Sequence, residues 1–211
     1  MKENIYWRSA FFLVGIVVLS LGIAFIIKGG KIGVGSWDVL HMGLADTFGL
    51  TIGTWSIIIG LIILAIDGVF RKRLPQIGTY LDMFLSGIFI DIFNFLIPNP
   101  HTLMLQIIAF IAGVLLFSFG CGMYMVANLG IGPRDTLMLL LTQKLGWSFG
   151  KSRTIMEVTV AILGVFLGGP LGVGTVIMAF TLGPIIQFAF EINQKVYKRC
   201  TGKESLLLQS N

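Results

Sequence analysis

The chain has 211 residues, of which 55% are hydrophobic and only 12% charged, where a soluble domain carries about 25% charged residues. That balance excludes an ordinary soluble domain and fits a single bundle in a lipid bilayer. The 15 Lys and Arg outnumber the 10 Asp and Glu, but they sit at the ends of apolar segments without a basic stripe or stacking motif, so no nucleic-acid partner is expected.

In chain order, the first apolar run is Ala10 to Ile27, preceded by Lys2 and Arg8. It is longer than the ~7–15 residues of a signal core and no small-residue cleavage site follows, which predicts an uncleaved membrane helix. Further runs at 51–70, 76–97, 103–127, 150–168 and 173–192 each approach the ~20 residues needed to span. Pro98-Asn99-Pro100 divides the chain, because neither proline can continue a helix. Placing the N-terminus in the cytoplasm puts Lys2, Arg8, Arg71-Lys72-Arg73, Arg134, Lys144, Lys151, Arg153, Lys195, Lys198, Arg199 and Lys203 inside and only Lys28 and Lys31 outside. Six spans with both termini cytoplasmic follow from that asymmetry.

Two segments do not count as spans. Residues 36–48 and 133–145 would make helices only ~20 Å long, a length typical of re-entrant or interfacial segments. They also carry the clearest internal repeat. Gly33-Val34-Gly35-Ser36-Trp37-Asp38-Val39-Leu40 returns 97 residues later as Gly130-Ile131-Gly132-Pro133-Arg134-Asp135-Thr136-Leu137. Gly53 then matches Gly150, and after one dropped residue Gly78-Thr79 matches Gly174-Thr175 and Gly87 matches Gly183. Each half reads span, short helix, span, span. Three spans is an odd number, so the second half enters the membrane upside down. The expected fold is an all-α membrane protein of two inverted three-helix repeats, 1–98 and 99–194, with a cytoplasmic tail at 195–211. Inverted repeats place a shared site where the halves meet.

The short helices are the first candidates for that site. Gly33 and Gly35, and Gly130 and Gly132, permit a tight backbone path. Ser36 suits an N-cap and Pro133 the first helical position. Asp38 and Asp135 complement the positive helix ends. If these loops dip into the bundle, their polar backbone lines a path for a small polar solute or ion. If they lie at the surfaces, the same residues are ordinary caps. Arg134, whose repeat partner is Trp37, can pair with Asp135, bind an anion or anchor topology.

Charges inside spans are costly and point to function. Asp82 and Asp91 are nine residues apart, about half a turn out of phase, so they face different sides. Gly87, Asp91 and Asn94 form one polar stripe, echoed by Gly183 and Gln187, which directs Asp91 and Gln187 inward. Asp82 is expected to reach towards Arg71-Lys72-Arg73. Glu157 follows Arg153 at helical spacing, as an ion pair or a solute contact. Asp67 and Glu191 lie near span ends and are expected to be solvated. His41 follows Asp38 by three residues but has no third ligand nearby, so neither a metal nor any other cofactor is expected. No nucleophile–base grouping appears, so catalysis is not expected. The small-residue step Gly164-xxx-Gly168 supports close helix packing, within one chain or between the copies of a homodimer.

The paired Gly-x-Gly-x-x-Asp motifs, the six spans and the Gly-Thr opening the third and sixth spans resemble the YczE/YitT-like bacterial integral membrane proteins, with the nearer likeness to the YczE branch. The resemblance runs from Trp7 to about Tyr197 and implies a bacterial cytoplasmic-membrane protein. It transfers no site residue. The residues themselves point to a transporter with its site between the halves, formed by Gly33, Gly35, Asp38, Gly130, Gly132 and Asp135, with Asp91, Glu157 and Gln187 as further polar contacts. The alternative is a non-transporting membrane protein that regulates or stabilises a partner through its cytoplasmic loops and tail.

Overall fold

A computed structural model describes residues 5–72, 74–147 and 149–202. Among them are eight α-helices and no strand: α1 (Ile5–Lys28), α2 (Ser36–Phe48), α3 (Ile52–Arg71), α4 (Ile77–Leu96), α5 (Leu103–Ala127), α6 (Pro133–Leu145), α7 (Phe149–Phe166) and α8 (Val173–Thr201). The short helices α2 and α6 fall where the repeat puts them. Five helices, α1, α3, α4, α5 and α8, are long and apolar enough to cross a membrane. The sixth expected span corresponds to α7, which is helical but not in that group. Its 18 residues include Lys151, Arg153 and Glu157, all in its first half. At the other end, α8 runs beyond 192 to Thr201, because nothing breaks the helix before Gly202 turns left-handed at φ 69°. The expected tail therefore begins as helix. Lys2, Arg73 and Lys203, part of the charge asymmetry, lie outside the described residues, as does the tail from 203 onward.

Local signals set the helix ends. The hydroxyls of Thr51 and Thr102 accept from the backbone N–H groups of Thr54 and Leu105, capping α3 and α5. Pro133 occupies the first turn of α6. At the C-terminus of α5, Asn128 turns left-handed and the Arg8 guanidinium of α1 donates to the carbonyls of Ala127 at 2.9 Å and Asn128 at 2.6 Å. A cation thus satisfies helix-end carbonyls that would otherwise lack partners.

The centre of the bundle is the α1–α5 pair, the most extensive helix contact in the molecule. Glycines bring the backbones together. A Cβ on Gly15 would lie 2.6 Å from the α5 backbone at Tyr124, and Gly120 faces Gly15 in return; Gly22 and Gly113 face each other in the same way. Rising numbers on α1 meet falling numbers on α5, so the two run antiparallel. Close backbone approach of this kind is how helices associate in lipid. Helix α4 packs on α1 and α8 on α5, while α2 packs on α7 and α6 on α3. Each short helix therefore lies against a long helix of the other half.

The loops before α2 and α6 are braced alike. Gly33 and Gly130 have φ of 131° and 157°, and a Cβ on either would crowd the backbone nitrogen of Thr175 or Thr79 respectively, at 2.6 and 2.5 Å. The Val34 N–H donates to the Thr175 hydroxyl at 3.1 Å. The first turns of both short helices are inside the bundle. Ser36, Trp37, Asp38 and His41 are buried in α2, and Pro133, Thr136 and Met138 in α6, while both C-terminal ends are exposed.

One difference separates the halves. Helices α3 and α4 pack along each other, but α7 and α8 barely touch. Gly53 of α3 sits directly on the Gly87 carbonyl of α4, whereas a Cβ on Gly183 of α8 would meet nothing within 4 Å. Of the expected small-residue step, Gly164 packs within the chain against the α2 backbone at Val39 and Leu40, whereas Gly168 lies beyond the end of α7, where a Cβ would meet nothing within 4 Å.

Candidate functional site

The N-terminal turns of α2 and α6 point into one cavity of about 240 Å³. Gly35, Asp38, Gly132, Asp135 and Glu157 line it. So do Asp82 of α4, His41 of α2, Tyr124 of α5, Arg134 of α6 and Arg153 of α7. Apolar side chains such as Ile63, Met83, Met138, Met156, Met178 and Leu182 form the rest of the wall.

Where the two half-helices meet, Arg134 lies over the Trp37 ring with 5.2 Å from guanidinium carbon to centroid. These two residues occupy matching repeat positions, so the contact is made across the junction of the halves. An Arg Nη of the same guanidinium is 3.9 Å from Asp38 Oδ1. Asp38 Oδ2 rests against the Gly35 backbone at the start of its own helix. The Tyr124 hydroxyl donates to Asp135 Oδ2 at 2.9 Å. Of the two readings of Glu157, an ion pair with Arg153 or a solute contact, the ion pair does not form: the two side chains make none within 4 Å, and both line the cavity.

Several polar atoms on this cavity are buried without a hydrogen-bond partner: Trp37 Nε1, Asp38 Oδ1, both His41 nitrogens and Asp82 Oδ1. Asp38, His41 and Asp82 are 4%, 1% and 7% exposed. Burying a polar group unpaired costs about 1–3 kcal/mol, so each of these atoms calls for a partner.

Four of the sequence candidates lie elsewhere. Gly33 and Gly130 brace the loops against Thr175 and Thr79 and do not line the cavity. Asp91 does not face inward. Its Oδ1 accepts from the Gly53 N–H at 2.8 Å and its Oδ2 from the Thr51 hydroxyl, so it closes the N-terminus of α3. Gln187 is exposed on α8 and its amide donates to Glu191 at 3.4 Å. Two members of the polar stripe on α4, Gly87 and Asp91, belong to the α3 contact. Asp82, half a turn away, carries the cavity face. Asp67, expected in solvent, is 3% exposed and pairs with Arg71 at 2.5 Å; Arg71 also donates to the Thr136 carbonyl at 3.5 Å and so ties α3 to α6. Sequence reasoning missed Asp82, His41 and Tyr124 as cavity residues. The usable signal was the breaking of the repeat, since Asp82 falls opposite Met178, His41 opposite Met138 and Tyr124 opposite Ile27.

The chain belongs to DUF6198, a family of unknown function whose model matches residues 6–191. It is 42% identical over 189 residues to the uncharacterized membrane protein YczE of Bacillus subtilis, covering 90% of this chain and 88% of the relative. An uncharacterized protein of Haemophilus influenzae is 32% identical, with 89% and 85% covered. The uncharacterized protein YyaS of Bacillus subtilis is 29% identical, with 87% and 92% covered. No solved structure matches. Together with its apolar helices, this makes the chain a membrane protein of the same family as YczE.

Proposed function

We propose that this protein is a transporter of a small polar or ionic solute, built from two inverted repeats with the solute held where they meet. The observation that carries the proposal is the cavity at the ends of α2 and α6, with its cluster of buried, unpartnered polar atoms. Support for the inverted repeat comes from contacts that occur in exchanged pairs. Gly33 meets Thr175 as Gly130 meets Thr79, and Trp37 meets its own counterpart Arg134. In this reading α7 is the sixth span, its Lys151 lies at the cytoplasmic face and its Arg153 and Glu157 reach the cavity. Half-helix ends at the midplane, irregular backbone included, are tolerated where they border such a space.

A transporter is favoured over an open channel by the difference between α3–α4 and α7–α8. With the N-terminus cytoplasmic, the Gly53–Gly87 contact seals the outer side and the slack α7–α8 pair leaves the inner side loose. Exchanging the two conformations between the halves would give the opposite access. Pro184, next to Gly183 within α8, removes a backbone hydrogen bond and supplies a place to bend.

The test is thermal stability of the purified full-length protein in detergent against a panel of ions, amino acids, vitamins and metabolites. A ligand at a hundred times its Kd stabilises by about 2.7 kcal/mol. The proposal expects a stabilising solute whose effect disappears in Asp38→Asn or Asp135→Asn. A folded protein that responds to nothing on the panel favours the alternative, a non-transporting membrane partner acting through its cytoplasmic loops and the segment 193–211; deleting 203–211 should then remove that activity.

A further inference from the structure

We infer that the solute is an organic cation, a protonated amine or amidinium on a compact apolar body. The inference rests on the transporter reading and names its substrate class. Four carboxylates line the cavity, Asp38, Asp82, Asp135 and Glu157, against two guanidiniums, Arg134 and Arg153. The guanidinium at the junction is already engaged, stacked on Trp37 and beside Asp38. Neither Asp82 nor Glu157 has a basic side chain within 4 Å among the described residues, and Asp82 Oδ1 is buried with no partner. Charged groups are tolerated in such a place when an opposite charge arrives. The missing charge is positive.

The half-helix ends do not reverse this sign. A helix N-terminus attracts anions, but each here already has carboxylate beside it: Asp38 in the first turn of α2 with its Oδ2 against Gly35, and Asp135 in the first turn of α6 with Asp82 Oδ2 against Gly132. Much of the remaining lining is apolar, with Ile63, Met83, Met138, Met156, Met178 and Leu182. That lining suits a hydrocarbon body and the carboxylates suit its ammonium head. Among the described residues no three His, Cys, Asp or Glu side chains come together as a metal site, which favours the organic cation over a hard divalent ion. The methionines with Cys121 make a soft monovalent metal the rival to test.

The experiment is thermal unfolding of the full-length protein in detergent with hexylammonium and 2-phenylethylammonium, beside hexanoate, hexanol and silver ion as matched probes. The expected result is a saturable rise in Tm of about 2 °C or more with the ammonium ions alone. Apparent affinity should fall at least about tenfold, one decade of binding constant, in Asp82→Asn and remain in Asp91→Asn, which lies off the cavity. Should Asp82→Asn fail to fold, Glu157→Gln replaces it with the same expectation. Stabilisation by hexanoate, or by silver without the amines, overturns the cation assignment and leaves a solute site standing. A silent amine series with a hit elsewhere on the broad panel overturns the cation assignment alone, whereas silence in both removes the transporter reading as well.

Discussion

The α3–α4 and α7–α8 pairs occupy matching places in the repeat and are packed differently. In the first, Gly53 lies on the Gly87 carbonyl and Asp91 reaches across to hold the Gly53 N–H and the Thr51 hydroxyl. In the second, Gly183 faces open space and Gln187, at the position of Asp91, turns to Glu191 on its own helix. A carboxylate can accept from two donors of a helix N-terminus and gain from the helix dipole; a carboxamide has one accepting oxygen and no charge. Matching sequence therefore produces one tight pair and one slack pair, with Asp against Gln as the deciding chemical difference.

The comparison breaks most directly at the glycines. Gly53→Leu forces a side chain into the Gly87 carbonyl and should destabilise the protein by about 1–3 kcal/mol. Gly183→Leu has room and removes a mid-helix glycine, so stability should hold or rise by up to about 1 kcal/mol. Unfolding midpoints in detergent compare the two, and equal losses would mean the halves are equally packed.

Asp91→Ala tests the capping chemistry. It should cost about 1–2 kcal/mol, the worth of an N-terminal cap, while Gln187→Ala should stay within about 0.5 kcal/mol. Asp91→Gln sharpens the contrast, since it should reproduce most of the Asp91→Ala loss if charge and double acceptance matter.

The smallest effects concern exchange between conformations. In a background with Cys121→Ala and Cys200→Ser, the pair Ile57→Cys with Gly87→Cys should oxidise readily, because Ile57 already touches Gly87. The matching pair, Thr154→Cys with Gly183→Cys, should form its disulfide about tenfold or more slowly, through a minor state populated at or below about 10%. Pro184→Ala should slow that second reaction by a few-fold and leave the first unchanged. Equal oxidation rates for the two pairs would show that no difference between the halves needs explaining.

Much of the architecture was legible in the chain. Apolar length located the helices, and the repeated Gly-x-Gly-x-x-Asp placed α2 and α6 to the residue, because glycine, proline and Asp have strong preferences at helix starts. Gly35, Asp38, Gly132 and Asp135, singled out by the repeat, and Glu157, singled out as a charge within a span, all line the cavity. The face of α4 was not legible. A helix whose polar residues lie on two sides offers no way to tell which side meets a cavity and which meets a neighbour, and Asp82 and Asp91 exchanged roles for that reason. His41 and Asp67 were likewise placed only by the other half of the molecule, His41 within the bundle and Asp67 beside Arg71 and α6.

Composition, hydrophobic length and internal repetition determined that this is an all-helical membrane protein with two related halves, because those properties are local and read along one dimension. The tertiary structure decided which carboxylates share a cavity, which one caps a helix and which helix pair is slack. Those outcomes depend on how elements separated by about a hundred residues approach each other, and on partners a single helix does not contain.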